Sequence, residues 1–411
     1  MIRLIQIEFQ KFIRRKKFLI ALIILILCCM FCLGAAVLSA SQYNGVENEI
    51  KATEKYIKTL EEQGNLENDK GASTAVSNGY TKIINDMKGR LAILKRTADE
   101  SIPWQQRVKE DIQYSKYNLE KNDGMPPMGK FQELSNIMLK QYYLNKNIPY
   151  DYNKKISSFN IMPDLIRIFS TIGLLIIVSI MVLDVVSGEN KPATIKLLAT
   201  KPIERWKIIL SKFIVCVVIV NVIILLLELI MFIFIGLIFG FGDPSLPIVA
   251  GIKYDIVAPG NIQELKSAVN PVLSSGILLS QGTVLLKILI LQILAITACI
   301  SFCFLCSTAI QNSSNSTGAG LVLIAFSYAA ILLKVNAKAM YRVKPATIFD
   351  KVLAFLFTSQ YDGLDIVTGK INESLAINFI DFRFSVLVLL IWIVVCYSVS
   401  HIIFVRKDIL A

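Results

Sequence analysis

Charged residues are scarce in this sequence. They make up 18% of its 411 residues, while apolar residues make up 54%. Soluble domains average about 25% charged residues. This balance excludes an ordinary soluble enzyme or binding domain, and it is typical of a chain that crosses a membrane.

Histidine is also scarce, and no cysteine lies in a polar segment. His401 is the only histidine, and all eight cysteines lie inside apolar runs. A zinc site or a cysteine–histidine nucleophile needs several such residues in a polar setting, so both are excluded. A secreted disulfide scaffold is excluded as well, because no cysteine lies in a polar segment where an oxidising compartment would pair it. We predict that the cysteines fill helix interfaces.

The sequence lacks a phosphate-binding loop of the GxxxxGK[ST] type. The nearest string, 363–371, has one residue too many between its glycines and no serine or threonine after its lysine. Such a loop needs this spacing to wrap backbone N–H groups around phosphates. We therefore predict that this chain is not an enzyme and that it binds no metal or cofactor itself.

Six apolar runs are long enough, or nearly so, to cross a bilayer, which takes roughly 20 helical residues. They are residues 18–40, 163–186, 213–240, 284–308, 318–333 and 384–405. The fifth run is short, but counting it as a membrane span places both chain ends on the same side of the membrane. The predicted fold class is an all-α integral membrane protein with six transmembrane helices. We expect the first run to be an uncleaved anchor, since it is longer than the apolar part of a signal peptide.

Lysine and arginine near the ends of the runs predict the orientation. Residues 1–17, 187–212 and 406–411 together hold 14 basic and 4 acidic residues, whereas 41–162 holds 18 and 16. Because positive residues stay in the cytoplasm, both termini and the 187–212 loop should be cytoplasmic. The segments expected outside are 41–162, 241–283 and 334–383. The net charge of +12 then reflects topology and not nucleic-acid binding.

Two segments outside the runs show helical periodicity. In residues 2–13, apolar side chains recur every three or four positions, which predicts an amphipathic elbow helix at the inner membrane surface. Between glycine and proline breaks, 41–162 repeats this spacing and should form an extracytoplasmic domain of three or four helices. The predicted division is elbow and first span (1–40), this domain (41–162) and spans two to six (163–411).

One carboxylate lies in the middle of an apolar run. Glu228 is within 213–240, where an ionised carboxylate costs roughly 2.5 kcal/mol or more. Two interpretations remain open. Glu228 lines a path for a substrate or ion, or it makes an interhelical hydrogen bond with a neighbour such as Gln292.

The loop between the second and third runs carries the most information. Residues 193–199 should form a short helix at the inner face, and Pro202 suits the first turn of the next helix. That next helix should be anchored at the headgroups by Arg205, Trp206, Lys207 and Lys212. An apolar short helix between two fixed spans fits a groove on a soluble partner. The other interpretation is an ordinary basic inner loop.

This loop resembles that of the ABC-2-type permeases, the membrane subunits of bacterial ABC exporters. The matching residues are Ser187, Gly188, Glu189, Thr194, Ile195, Leu197, Leu198, Pro202, Ile203, Arg205 and Lys212. The chain departs from the family at Ala193, where a glycine usually precedes the threonine. The amphipathic start, the six spans and the ending at 404–409 are also similar. The resemblance covers the membrane part, while an insert like 41–162 occurs only in some members.

The resemblance implies a permease subunit that works with a separate ATP-binding subunit. ATP and Mg would be bound by that partner, present in two copies and docked on the coupling segment, residues 192–207. A second permease subunit, identical or homologous, would complete the complex in the bacterial cell membrane. The implied coupling residues are Glu189, Thr194, Ile195, Leu197, Leu198, Pro202 and Arg205. The substrate would be a peptide, antibiotic, lipid or similar molecule, moved outward.

A function of another class also remains open. A membrane sensor or immunity protein would bind an extracellular ligand through 41–162 without transporting it. Co-purification separates the two hypotheses, because an ATPase that stays bound in detergent favours the permease.

Overall fold

The computed structural model forms two compact units, Met1–Ala36 with Ser157–Ala411, and Val37–Ile156. We call them the membrane unit and the helical unit. The structure describes residues 1–42, 45–69, 74–121, 125–153, 156–171, 173–190, 204–256, 269–340 and 348–406.

The described chain is mostly helical. In chain order the helices are α1 (Ile2–Ile13), α2 (Lys16–Gln42), α3 (Gly45–Asp69), α4 (Thr74–Ala98), α5 (Trp104–Lys121), α6 (Pro127–Asn145), α7 (Ser158–Thr171), α8 (Leu174–Val182), α9 (Arg205–Phe239), α10 (Gln281–Ala309), α11 (Ser313–Met340), α12 (Ile348–Ala354), α13 (Gly363–Thr368), α14 (Lys370–Leu375) and α15 (Phe382–Arg406). The 3-10 turns are Ser187–Asn190 and Phe357–Gln360. The strands are β1 (Pro247–Ala250), β2 (Tyr254–Ile256), β3 (Val269–Pro271) and β4 (Ile277–Ser280).

Five helices in the described ranges are long and apolar enough to cross a membrane, namely α2, α9, α10, α11 and α15. Large apolar side chains such as Phe31, Leu237 and Phe326 are exposed on their surfaces. Water would disfavour such surfaces, whereas lipid tails would cover them. The chain is therefore a multi-pass membrane protein, as its composition predicts.

The second predicted span, 163–186, is not one straight helix. α7 and α8 meet at an angle of 54°, and they supply the sixth crossing if the bent pair is one span. Gly173 begins α8 with a φ of +102°, a conformation that glycine adopts readily and that interrupts helical hydrogen bonding. At the other end, the Ser158 hydroxyl donates to the Phe232 carbonyl oxygen over 2.7 Å and ties the start of α7 to α9.

α10 lies at the centre of the membrane unit, in contact with α7, α8, α9, α11 and α15. Its buried face is lined with small and apolar side chains, including Ala298, Cys299 and Cys303. All eight cysteines are free, and each is buried or half-buried in a helix. They fill helix interfaces, as the sequence predicts.

The predicted loop 241–283 contains strands, so the all-α prediction was incomplete. β1 pairs with β4 and β2 pairs with β3, both antiparallel. Beyond β1, the backbone N–H of Ile252 donates to the Thr368 carbonyl oxygen over 2.9 Å, which joins this loop to α13. Gly369 follows α13 with a φ of +91°, and a Cβ there would meet the Ile252 carbonyl oxygen. This close approach requires glycine.

The helical unit is built from α3, α4, α5 and α6. α3 packs along α4, with ion pairs between Glu61 and Lys88 and between Glu54 and Lys95, each 2.8 Å long. α5 packs along α6 around a small apolar core of Val108, Ile112 and Ile137. In the described part of this unit, these four helices agree with the three or four that the periodicity of 41–162 predicts.

Candidate functional site

Four charged side chains meet where α1 and α9 pack together. The Lys212 ammonium of α9 donates over 2.7 Å to Glu8 of α1 and over 2.7 Å to Glu189 of the 3-10 turn. Lys11 of α1 adds contacts of 3.2 Å to Glu8 and 3.3 Å to Glu189. We call Glu8, Lys11, Glu189 and Lys212 the anchor cluster.

The anchor cluster is electrically balanced and largely buried. The Lys212 side chain is 0% exposed and the carboxylates of Glu8 and Glu189 are 6% and 8% exposed. Buried charges are tolerated when each has a close partner of opposite sign, and here two ammonium groups face two carboxylates. Burial alone would lower the pKa of Lys11, but the charges of Glu189 and Glu8 outweigh it and hold that pKa above its usual value.

A second ion pair group lies beside the cluster. The Asp184 carboxylate forms an ion pair of 3.3 Å with the Arg15 guanidinium and one of 3.1 Å with the Lys17 ammonium. Arg15 also donates over 3.3 Å to the Val185 carbonyl oxygen. The segment that joins α1 to α2 is thus held against the end of the α7–α8 span.

Hydrogen bonds from α10 hold the 3-10 turn that carries Glu189. The Ser307 hydroxyl accepts the backbone N–H groups of Val186 and Ser187 over 3.1 and 2.9 Å. The Gly188 N–H donates to the Asp184 carbonyl oxygen over 2.9 Å. These bonds position Ser187, Gly188 and Glu189, the first three residues of the loop motif.

The other end of the loop is the start of α9. Arg205 donates over 3.3 Å to the Val405 carbonyl oxygen of α15, and Glu204 pairs with Lys207 over 2.7 Å. The remaining predicted coupling residues lie outside the described ranges; they are Thr194, Ile195, Leu197, Leu198 and Pro202. The same holds for the predicted short helix at 193–199.

A comparison with known protein families decides the class of the chain. The family model described as ABC-2 family transporter protein matches residues 2–409, nearly the whole sequence. The chain belongs to the ABC-2 transporter family. It is a permease subunit of an ABC transporter, which the loop motif predicts. No curated protein matches the permease.

Glu228 of the permease is buried in α9 and bonded to α10. The Gln292 amide donates to the Glu228 carboxylate over 2.5 Å, and both residues are buried. This is the interhelical bond that the structural interpretation of Glu228 requires. A role for Glu228 in a substrate path remains a prediction.

The permease differs from the sequence interpretation at Lys212. We expected Lys212 to anchor α9 at the lipid headgroups, together with Trp206 and Lys207. Trp206 is exposed and Lys207 is partly exposed, but Lys212 is buried, with its ammonium group bound by both Glu8 and Glu189. α1 therefore covers α9 at Lys212.

Glu8 is the functional candidate that the sequence interpretation missed. It lies in a predicted amphipathic helix whose other charged residues are basic. A lone carboxylate on such a helix, three residues before Lys11, is the signal that could have identified it. Its partner Lys212 is 204 positions away, so no local pattern pairs the two.

Proposed function

We propose that this permease subunit exports its substrate outward and is driven by a separate ATPase docked on the coupling segment, residues 192–207. The observation that carries the proposal is the ion pair between Glu189 and Lys212, which brackets this segment on both sides. Because both ends of the segment are held by the membrane helices, a movement of the bound partner would be transmitted through the segment to those helices. The family membership of the chain supplies the context.

The contacts around the anchor cluster indicate which helices would move with the coupling segment. Glu189 connects the segment to α1 and α9 through Lys11 and Lys212. Ser187 connects it to α10 through Ser307. Arg205 connects its other end to α15. Movement of the segment would reach four helices of the membrane unit at once.

The complete transporter in this proposal contains two copies of the ATPase and a second permease subunit, identical or homologous. ATP and Mg are bound by the ATPase chains, and this chain contributes binding surface and helices. The exported molecule is a peptide, an antibiotic, a lipid or a similar compound. The proposed orientation places both termini in the cytoplasm and 41–162 outside, which the basic residues of 1–17 and 187–212 favour.

Replacing Leu197 and Leu198 together by aspartate tests the docking proposal. Burying a leucine in a partner groove stabilises a complex by roughly 1.5–3 kcal/mol. Loss of both should weaken ATPase binding by about a hundredfold or more and abolish substrate-stimulated ATP hydrolysis. The chain should still insert into the membrane, because the segment is polar enough to stay outside the lipid. Pull-down of the ATPase from detergent extracts measures the effect.

A matched control adds the same charge to another short connection. The variant Gln311→Asp/Asn312→Asp changes the turn between α10 and α11 and should leave the ATPase bound. If Leu197→Asp/Leu198→Asp retains full ATPase association and transport, the coupling assignment is wrong. The sensor or immunity interpretation would then be the better one.

A further inference from the structure

A cavity of about 320 Å³ lies inside the helical unit. Its walls come from α3, α4, α5 and α6 and from the segment that follows α6. Pockets for small molecules begin at roughly 300 Å³. The cavity is thus large enough for a ligand of the size of an amino acid or a small amine.

The charged side chains of this cavity are mostly acidic. Its carboxylates are Glu49, Asp86, Asp111 and Glu133, and its cations are Arg90 and Lys140. Asp111 and Lys140 neutralise each other in an ion pair of 2.6 Å, with side chains only 14% and 10% exposed. Three carboxylates then face a single arginine, so the open part of the cavity is negatively charged.

Aromatic and apolar surface surrounds these charges. Tyr114, Tyr150 and Tyr152 line the cavity together with Met87 and Leu94. The rings of Tyr150 and Tyr152 meet edge to face with centroids 4.9 Å apart. Burial, followed by the charge of Asp111, raises the pKa of Tyr152, so its ring stays neutral. Neutral rings attract cations through their faces and pack against apolar ligand atoms.

We propose that the cavity of the helical unit binds a small molecule that carries a cationic amine on an aromatic or apolar body. The carboxylates of Asp86 and Glu133 receive the amine, and the tyrosine rings and Met87 receive the body. This inference goes beyond the transport function and uses no residue of the coupling segment. Its failure would leave the docking proposal standing.

Three indole compounds with side chains of similar length and different charge serve as probes. Tryptamine is a cation, indole-3-ethanol is neutral and indole-3-acetate is an anion. Saturation-transfer NMR with the full-length chain in lipid nanodiscs measures their binding, with empty nanodiscs as the blank. We expect tryptamine to bind most tightly, indole-3-ethanol more weakly and indole-3-acetate most weakly.

Variants of the full-length chain assign the binding to the cavity. Asp86→Asn/Glu133→Gln should weaken tryptamine binding about tenfold or more, because both carboxylates that face the amine are lost. Glu120→Gln removes an exposed carboxylate of α5 that does not line the cavity and should leave binding unchanged. Asn118→Trp places a large ring in the cavity and should abolish binding of all three probes.

Two results would overturn the inference. The first is equal or tighter binding of indole-3-acetate. The second is unchanged tryptamine binding in both Asp86→Asn/Glu133→Gln and Asn118→Trp, when circular dichroism shows that these variants are folded. Either result would mean that the cavity does not select amines.

Discussion

Lys212 is the residue on which the proposed site depends. Its ammonium group is fully buried and joins two carboxylates that lie 204 and 23 positions away in the sequence. A buried ammonium is tolerated only while such partners remain close. The same bonds hold Glu8 and Glu189 in place, so removal of one side chain would loosen α1 and the 3-10 turn together.

We predict that Lys212→Met destabilises the permease by about 3–5 kcal/mol, because it leaves two buried carboxylates with too little positive charge. Thermal unfolding of the detergent-solubilised protein measures the change. Lys207→Met is the matched control on the same helix. Lys207 is partly exposed and pairs with an exposed glutamate, and such pairs contribute about 0–1 kcal/mol.

A combined variant shows whether Lys212→Met loses stability through charge imbalance or through lost packing. Lys212→Met/Glu8→Gln/Glu189→Gln removes both orphaned carboxylates and should recover much of the lost stability. Equal melting temperatures for Lys212→Met and Lys207→Met would show that the anchor cluster does not stabilise the fold.

At the level of helices and strands, long periodic segments were predictable and short irregular ones were not. The spacing in residues 2–13 and 41–162 predicts helices that the structure contains. The bend between α7 and α8 lies in a continuous apolar run, so hydropathy carries no sign of it. The strands have three or four residues each, and Pro247 pairs with Ser280 across a long connection. Such short strands show no reliable alternation.

Replacing Gly369 should destabilise the contact between loop 241–283 and α13. We predict that Gly369→Ala lowers stability by about 1–3 kcal/mol, because its positive φ strains any side chain and the added Cβ would meet the Ile252 carbonyl oxygen. Gly34→Ala in α2 is the control, since no atom beyond its chain neighbours and its own helix backbone lies within 4 Å of a Cβ at that position. Its melting temperature should be unchanged or slightly higher, because alanine favours helix. Equal losses in both variants would contradict this account of the junction.

For the whole molecule, the sequence predicted the family and one half of the candidate site. The loop motif identified Glu189 and Lys212 as positions typical of the family, and the family comparison covers residues 2–409. The burial of Lys212 and the role of Glu8 depend on the packing of α1 against α9, which no local pattern encodes. The cavity of the helical unit was unpredictable for the same reason, because its walls come from several helices.

The proposed function depends above all on the docking of an ATPase on residues 192–207 of this permease. A photocrosslink formed in intact cells tests it most directly. With benzoylphenylalanine in place of Leu198 in the full-length chain, irradiation should give an adduct with an ABC-type ATPase, identified by mass spectrometry. The same group in place of Glu120, in the helical unit, should give no such adduct. An ATPase adduct from position 120 with none from position 198 would contradict docking on residues 192–207.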